Sequence, residues 1–194
     1  MNLREKQAKQ TYENIILTTE KLLEDCAYEE LSVNHICEAA GLSKGGFYHH
    51  FSSKEQLMSL MIGRQMGNLI SQRLNPCLNK KSAFELLEIY MDTTIEFLEN
   101  TPKDMLPRCW VALAEHSDMT NDAFAMEYFQ LIYKIVEQGK EEGTIRAELD
   151  NEFCQSYING SITGIVMYGS IFKDHNALQE FAADSLKLIR QAIS

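Results

Sequence analysis

The stretch from Leu31 to Leu57, LSVNHICEAAGLSKGGFYHHFSSKEQL, decides the fold. Ser32 stands where a helix N-cap belongs, ahead of a short helix whose inner face is Val33, Ile36, Cys37 and Ala40. Ala39 and Ala40 are small and let another helix cross closely. Gly41 follows, where the chain must turn sharply and a positive φ is expected. Leu42 plugs the turn, and Ser43 caps a second short helix whose inner face is Phe47 and Phe51. Helix, glycine turn and helix, with a supporting helix before them, make a helix-turn-helix.

The outer face of the second short helix carries Lys44, Gly45, Tyr48 and His49. Lys44 sits at a helix N-terminus, where backbone N–H groups already favour a phosphate. Gly45 has no side chain, so backbone can approach a base or sugar closely. Tyr48 offers a flat ring and a hydroxyl within reach of a phosphate, and His49 can donate to a base edge or a phosphate. Lys54, at the start of the next helix, adds a second cation.

The block resembles the DNA-binding domain of the tetracycline-repressor (TetR) family of bacterial transcription regulators. The resemblance rests on Leu42, Ser43, Lys44, Gly45, Tyr48, His49, His50, Phe51, Lys54, Glu55 and Leu57 in one ungapped run, and it covers roughly residues 8–68. It implies that Ser43, Lys44, Gly45, Tyr48 and His49 lie at or in the major groove. It also implies that Lys54 and the backbone near Ser32 and Val33 grip phosphates, and that Ile36, Ala40, Phe47 and Phe51 are core. Two positions depart from the family. Ala27 stands where a glycine usually ends the first helix, and an alanine held in the left-handed conformation costs roughly 1 kcal/mol unless the helix ends differently. Gly46 follows Gly45, and each glycine weakens a helix by up to about 1 kcal/mol relative to alanine. The recognition helix is therefore expected to be partly frayed until DNA orders it.

Outward from this block the period is helical throughout. Tyr12, Ile15, Ile16, Thr19, Leu22, Leu23 and Cys26 follow one face of a first long helix, and residues 178–193 repeat the pattern. The spacing predicts an all-α chain of about nine helices, at 5–26, 33–40, 44–50, 53–74, 82–99, 102–117, 121–142, 151–172 and 177–193. Ser53 with Gln56, and Ser82 with Glu85, fit the capping-box spacing. Thr101 before Pro102 reads as an N-cap followed by a first-turn proline. Asp150 and Asn176 read as caps of the last two helices, and Pro76 and Gly143 as helix ends. Two parts follow: a helix-turn-helix domain over 8–68, and a helical domain over 69–194 for effector binding and dimerisation. The boundary falls in the fourth helix.

Composition constrains partners and compartment. The chain has 194 residues, is 45% hydrophobic and carries a formal charge of −10, which leaves room for a core and excludes a generally basic nucleic-acid coat. Residues 1–64 hold 7 Lys or Arg against 9 Asp or Glu, while the remaining 130 hold 11 against 19, so most of the acidic excess lies away from the reading head. Arg4, Lys6 and Lys9 form either an arm on DNA or a solvated tail. Five scattered cysteines without a CxxC pair argue against a disulfide framework or a zinc cluster. No secretory signal opens the sequence. Phe153–Phe172 lacks charge but holds nine polar or glycine positions, so it reads as a buried helix rather than a membrane span. A cytoplasmic protein with reduced thiols is expected.

In the C-terminal region Ser156, Gly160 and Gly164 recur every four residues and make a flat stripe for close helix packing. With Phe181 and Leu188 of the amphipathic last helix, the stripe suggests a homodimer through a four-helix face, the alternative being packing within the chain. A twofold dimer places two reading heads on a palindromic operator in double-stranded DNA. The middle helices are rich in aromatic and methionine side chains. Most are core, but the resemblance implies a pocket for a small apolar or amphipathic effector, for which Trp110, His116, Tyr128 and Tyr157 are the candidates. No P-loop, GxGxxG or HExxH is present, and Glu115 to Asp118 point in different directions on a helix, so no catalytic site, cofactor or metal is predicted. The expected function is a DNA-binding transcription regulator, a repressor that an effector releases. Two alternatives are a regulator switched through the thiols of Cys109 or Cys154, and a helical interaction module without DNA binding.

Overall fold

The computed structural model describes residues 2–102, 105–115, 123–172 and 175–194; the side chains of residues 110, 113–115, 123–129, 170, 172 and 175–177 lie outside that description. The described residues form nine helices and no strand. They are α1 (Leu3–Asp25), α2 (Val33–Ala40), α3 (Lys44–Tyr48), α4 (Lys54–Leu74), α5 (Ala83–Asn100), α6 (Met105–Glu115), α7 (Ala123–Glu141), α8 (Asn151–Phe172) and α9 (His175–Ile193). None of the described helices is long and apolar enough to cross a membrane.

The chain divides into two compact units, Met1–Met61 and Ile62–Ser194, with the division inside α4. In the first unit α1 packs on α2 and α2 on α3. Its core is Ile15 and Ile16 of α1, Ile36 of α2, Phe47 of α3, then Phe51 and Leu57. Each such side chain contributes about 1.5–3 kcal/mol on burial. In the second unit α5 packs against α7, α8 and α9, and α7 and α9 both pack on α8. Leu86, Leu87 and Tyr90 of α5 meet Ile132 and Ile135 of α7, Ile158 and Ile162 of α8, and Ile189 of α9 in one core.

Several helix ends follow the sequence reading and several do not. Ser82 and Glu85 form a complete capping box, and the Asp150 carboxylate accepts from the Phe153 N–H at 2.8 Å. Gly143 takes φ +70° just past α7. Ser53 accepts from the Gln56 N–H at 3.0 Å, but the Gln56 side chain turns to Ser52 instead of closing the box. Thr101 closes α5, with its hydroxyl donating to the Phe97 carbonyl at 2.7 Å; its reading as the N-cap of the next helix turns on residues 103 and 104, which lie outside the described residues. Asn176 lies inside the first turn of α9 rather than ahead of it. The first helix ends without strain at Ala27. Cys26 is extended, at φ −141°, and its N–H reaches back to the Leu22 carbonyl, so alanine replaces glycine without a left-handed residue. Arg4, Lys6 and Lys9 are exposed. They stand on the first turns of α1, which a capping box of Asn2 and Glu5 starts at Leu3.

Candidate nucleic-acid interface

The reading head is assembled by three local devices. Ser32 caps α2, its hydroxyl oxygen accepting from the His35 N–H at 3.2 Å. Gly41 sits at φ +67° and ψ +37°, which a residue with a Cβ rarely adopts, and the Leu42 N–H returns to the Cys37 carbonyl at 2.9 Å. Ser43 then caps α3, accepting from the Gly46 N–H at 3.1 Å. α3 is one turn of helix, shorter than the expected 44–50, with His49 as its C-cap.

Burial sorts the faces of α3. Phe47 is 0% and Tyr48 53% exposed. The Phe47 ring meets the Phe51 ring behind the helix and the Tyr48 ring edge-on beside it. Lys44, Gly45 and His49 are exposed with Tyr48, so the structure brings Ser43, Lys44, Gly45, Tyr48 and His49 to one surface, while Ser32 and Val33 open α2 as half-buried residues. Tyr12 of α1 stacks on Phe51, centroids 5.0 Å apart, and meets His50 edge-on. Burial, then the neighbouring charge of His49, hold the His50 imidazole below its ordinary pKa.

Lys54 behaves unlike the other cations of the block. Its Nζ donates to the carbonyls of Tyr28 and Leu31, at 3.0 and 2.7 Å. The next residue, Glu55, accepts the Tyr28 hydroxyl at 3.1 Å. Burial pushes the Glu55 carboxyl up, but its own backbone N–H, the Tyr28 hydroxyl, the Lys54 charge and Ser53 together hold it below the ordinary range. These ties span 23 to 27 residues of sequence, so no local spacing signals them.

In the second unit the small-residue stripe is not packed against the described residues of the chain. Ser156, Gly160 and Gly164 are exposed, and a Cβ at either glycine would meet nothing within 4 Å among the described residues. Phe153, Tyr157, Met167, Tyr168 and Ile171 are exposed on the same side of α8 at helical spacing. Tyr168 touches Phe181 of α9, ring centroids 4.8 Å apart, which carries the face across to α9, where Leu188 is 62% exposed. Of the candidate effector residues, His116 and the side chains of Trp110 and Tyr128 lie outside the described residues, and Tyr157 lies on this exposed face beside Phe153. A groove of about 670 Å³ runs instead between α5 and α9, over Phe84, Met91, Ile95 and Leu186, edged by Glu88, Asp92, Glu96 and Glu99. The sequence reading missed it because its two walls lie some 90 residues apart. None of the five cysteines forms a disulfide; Cys109 and Cys154 are buried, and burial pushes the Cys154 thiol up, which opposes thiolate chemistry there.

The described geometry is that of a helix-turn-helix DNA-binding protein with a second, helical unit. Comparison with known proteins agrees. The profile of "Bacterial regulatory proteins, tetR family" matches residues 15–61. The Transposon Tn10 TetC protein of Escherichia coli is 22% identical over 175 residues, covering 89% of this chain and 87% of that one. The HTH-type transcriptional regulator YwcC of Bacillus subtilis is 49% identical over 57 residues, 29% of this chain and 26% of its own. Among solved structures, the transcriptional regulator FadR from Bacillus subtilis in complex with stearoyl-CoA has the same fold, with a TM-score of 0.62, 20% identity, and coverage of 94% of this chain and all of that one. Residues 15–61 therefore match the tetR family of bacterial regulatory proteins, and the chain is a DNA-binding transcription regulator.

Proposed function

We propose that the protein is a homodimeric repressor that reads a palindromic operator through α2 and α3 and is released from it by a small apolar or amphipathic effector. The observation that carries this reading is the division of α3 into a wholly buried Phe47 and an exposed Lys44, Gly45, Tyr48 and His49. Lys44 and Tyr48 hold phosphates, Gly45 lets the backbone approach, and His49 donates to a base edge or phosphate. The amides at Ser32 and Val33 take a second phosphate at the start of α2.

The exposed, uncharged face of α8 with Phe181 and Leu188 of α9 is the dimer interface. Contiguous apolar surface of this kind marks association, and a twofold axis through it presents two identical heads to the duplex. Effector release works by population shift: a ligand that prefers a dimer whose heads misfit successive major grooves lowers operator affinity by its differential affinity for the two forms. The stearoyl-CoA held by the FadR structure makes a long-chain acyl-CoA the first effector to try.

The test is selection of duplexes from a random pool by the full-length protein, followed by fluorescence anisotropy on the enriched sequence. A palindrome is expected to emerge, bound tightly by the wild type and at least about tenfold more weakly by Tyr48→Ala or Lys44→Ala. Variants that bind as the wild type does would sink the assignment of α3.

A further inference from the structure

The groove between α5 and α9 combines an apolar floor with a rim dominated by negative charge. Phe84, Met91 and Ile95 of α5 and Leu186 of α9 form the floor, and the volume of about 670 Å³ is that of a small-molecule site. Glu88, Asp92, Glu96 and Glu99 follow one another along the α5 edge at helical spacing. Ala183, Leu186 and Arg190 lie about half a turn around α9 from Phe181 and Leu188. A dimer through that other face therefore leaves the groove open.

Protein cations already hold both ends of the groove. At one end the Arg190 guanidinium sits over the Phe84 ring, 4.6 Å from its centre. Towards the other, Arg73 of α4 donates to both carboxylate oxygens of Glu96, each at 2.7 Å, and Glu99 accepts the Gln179 amide at 3.2 Å. Lys187, the remaining cation of the lining, pairs with Asp184 at 2.8 Å. Between these ends Glu88 and Asp92 are exposed one helical turn apart, and no described residue forms an ion pair with either. Like charges at that spacing repel each other, and an apolar floor beside them strengthens their pull on a cation.

We infer that the α5–α9 groove is a binding site for an organic cation with an apolar body. The cationic head lies between Glu88 and Asp92, and the body lies along Met91, Ile95 and Leu186. An anion of the same shape meets carboxylates along the whole α5 edge, so a phosphate-bearing acyl-CoA has the wrong charge for this groove. The site is separate from the effector reading above and needs no DNA.

Isothermal titration calorimetry of the full-length protein with decyltrimethylammonium, kept below its micelle concentration, tests the site, with decyl sulfate as the anion of equal tail. The cation should bind saturably, one per chain, and at least about tenfold more tightly than the sulfate. The double variant Glu88→Gln/Asp92→Asn changes two exposed side chains without changing their size, and should weaken the cation about tenfold while leaving the sulfate no weaker. Ala183→Trp, at an exposed position of the lining, should fill the groove and abolish binding of the cation. Circular dichroism and the urea midpoint check that each variant is folded; if Ala183→Trp is not, the double variant decides alone. Three results overturn the site: no saturable binding of the cation, a sulfate bound as tightly, which would be adhesion to apolar surface only, or a folded double variant that binds the cation as the wild type does.

Discussion

The side-chain amide of Asn14 donates to the carbonyl of Ala40 at 3.1 Å. Asn14 is in the middle of α1, and Ala40 is the last residue of α2, immediately before the left-handed Gly41. The bond occupies one of the carbonyls that a helix C-terminus leaves without an intrahelical partner. It therefore ties the supporting helix to the turn that aims α3. Asn14→Ala should lower stability by about 0.5–1.5 kcal/mol in urea unfolding and weaken operator binding, since the turn is then held by Gly41 and Leu42 alone. Unaltered urea midpoint and affinity would show that water replaces the amide at no cost.

Gly45 and Gly46 weaken α3 without being needed by its packing. A Cβ at Gly45 would stand 3.7 Å from the Ser43 hydroxyl oxygen, and one at Gly46 3.6 Å from the Leu42 Cβ; both are ordinary contacts, and neither glycine has a positive φ. Alanine at either position should raise stability, by up to about 1 kcal/mol. Gly45→Ala should nevertheless reduce operator affinity, because its methyl stands on the face with Tyr48, where the backbone of α3 meets the duplex. Gly46 is half-buried against Leu42, so Gly46→Ala should stabilise with a smaller effect on binding. Thermal melts beside anisotropy separate the two effects. A Gly45→Ala protein that is more stable and binds as well as the wild type would remove the glycine from the interface.

The helices were legible in the sequence because each carries an apolar stripe and recognisable ends. The run around Ser43 fixed the reading head for the same reason: Phe47 and Phe51, four apart, can only face inward together. Two side chains make bonds that the sequence reading did not anticipate. Thr101 reads as a cap for the helix after it, and its hydroxyl also donates to the Phe97 carbonyl four residues back, which serves the helix before it. The bonds of Lys54 had no signal because the carbonyls it reaches are more than 20 residues away in sequence. The α5–α9 groove had no signal for a related reason: each wall alone is an ordinary amphipathic helix. By contrast, the exposure of Gly160 and Gly164 needed the structure, since a small-residue stripe reads the same whether its partner is in the same chain or another.

His50 makes the first unit sensitive to acid. Burial, then the charge of His49, lower its pKa in the folded protein below the ordinary 6.5. The unfolded chain therefore binds the proton more tightly, so stability is full above about pH 6.5 and falls as pH drops from there towards the folded value. Unfolding in urea at pH 7.5 and at pH 5.5 should show the loss, and His50→Gln should remove part of it. A His50→Gln protein with the same acid dependence as the wild type would assign the effect to other groups.

Gly139 is a packing glycine. A Cβ there would come within 2.4 Å of the Ile145 Cδ1 and 2.9 Å of the Ala83 Cβ. Ile145 is a flexible tip and can shift, but Ala83 has no rotamer to change and opens α5. The Gly139 carbonyl also receives the Thr144 and Ile145 N–H groups, so the turn after α7 cannot retreat freely. Gly139→Ala should cost about 1–3 kcal/mol despite the better helix propensity of alanine. The corresponding drop in melting temperature should appear with the DNA-binding surface of the first unit intact, as judged by protection of Phe47. An unchanged melting temperature would mean that α5 and α7 separate here without cost.

Gly160 tests the dimer apart from the fold. It lies at the centre of the exposed α8 face, between Ser156 and Gly164, with nothing among the described residues within 4 Å of a Cβ. A Cβ there meets no described atom of its own chain, and the face is exposed, so the monomer fold should survive. In the dimer an arginine side chain would fall where two copies of α8 cross closely, and it would bury a charge without a partner. Gly160→Arg should therefore shift the mass seen by light scattering from dimer to monomer at micromolar concentration while helical content by circular dichroism is retained. Operator affinity should fall with it, because one head alone makes half the contacts and loses the effective concentration that linkage to the second provides. Gly160→Arg that remains dimeric would move the interface off this face of α8, and a wild type that is monomeric at the same concentration would rule out the dimer altogether.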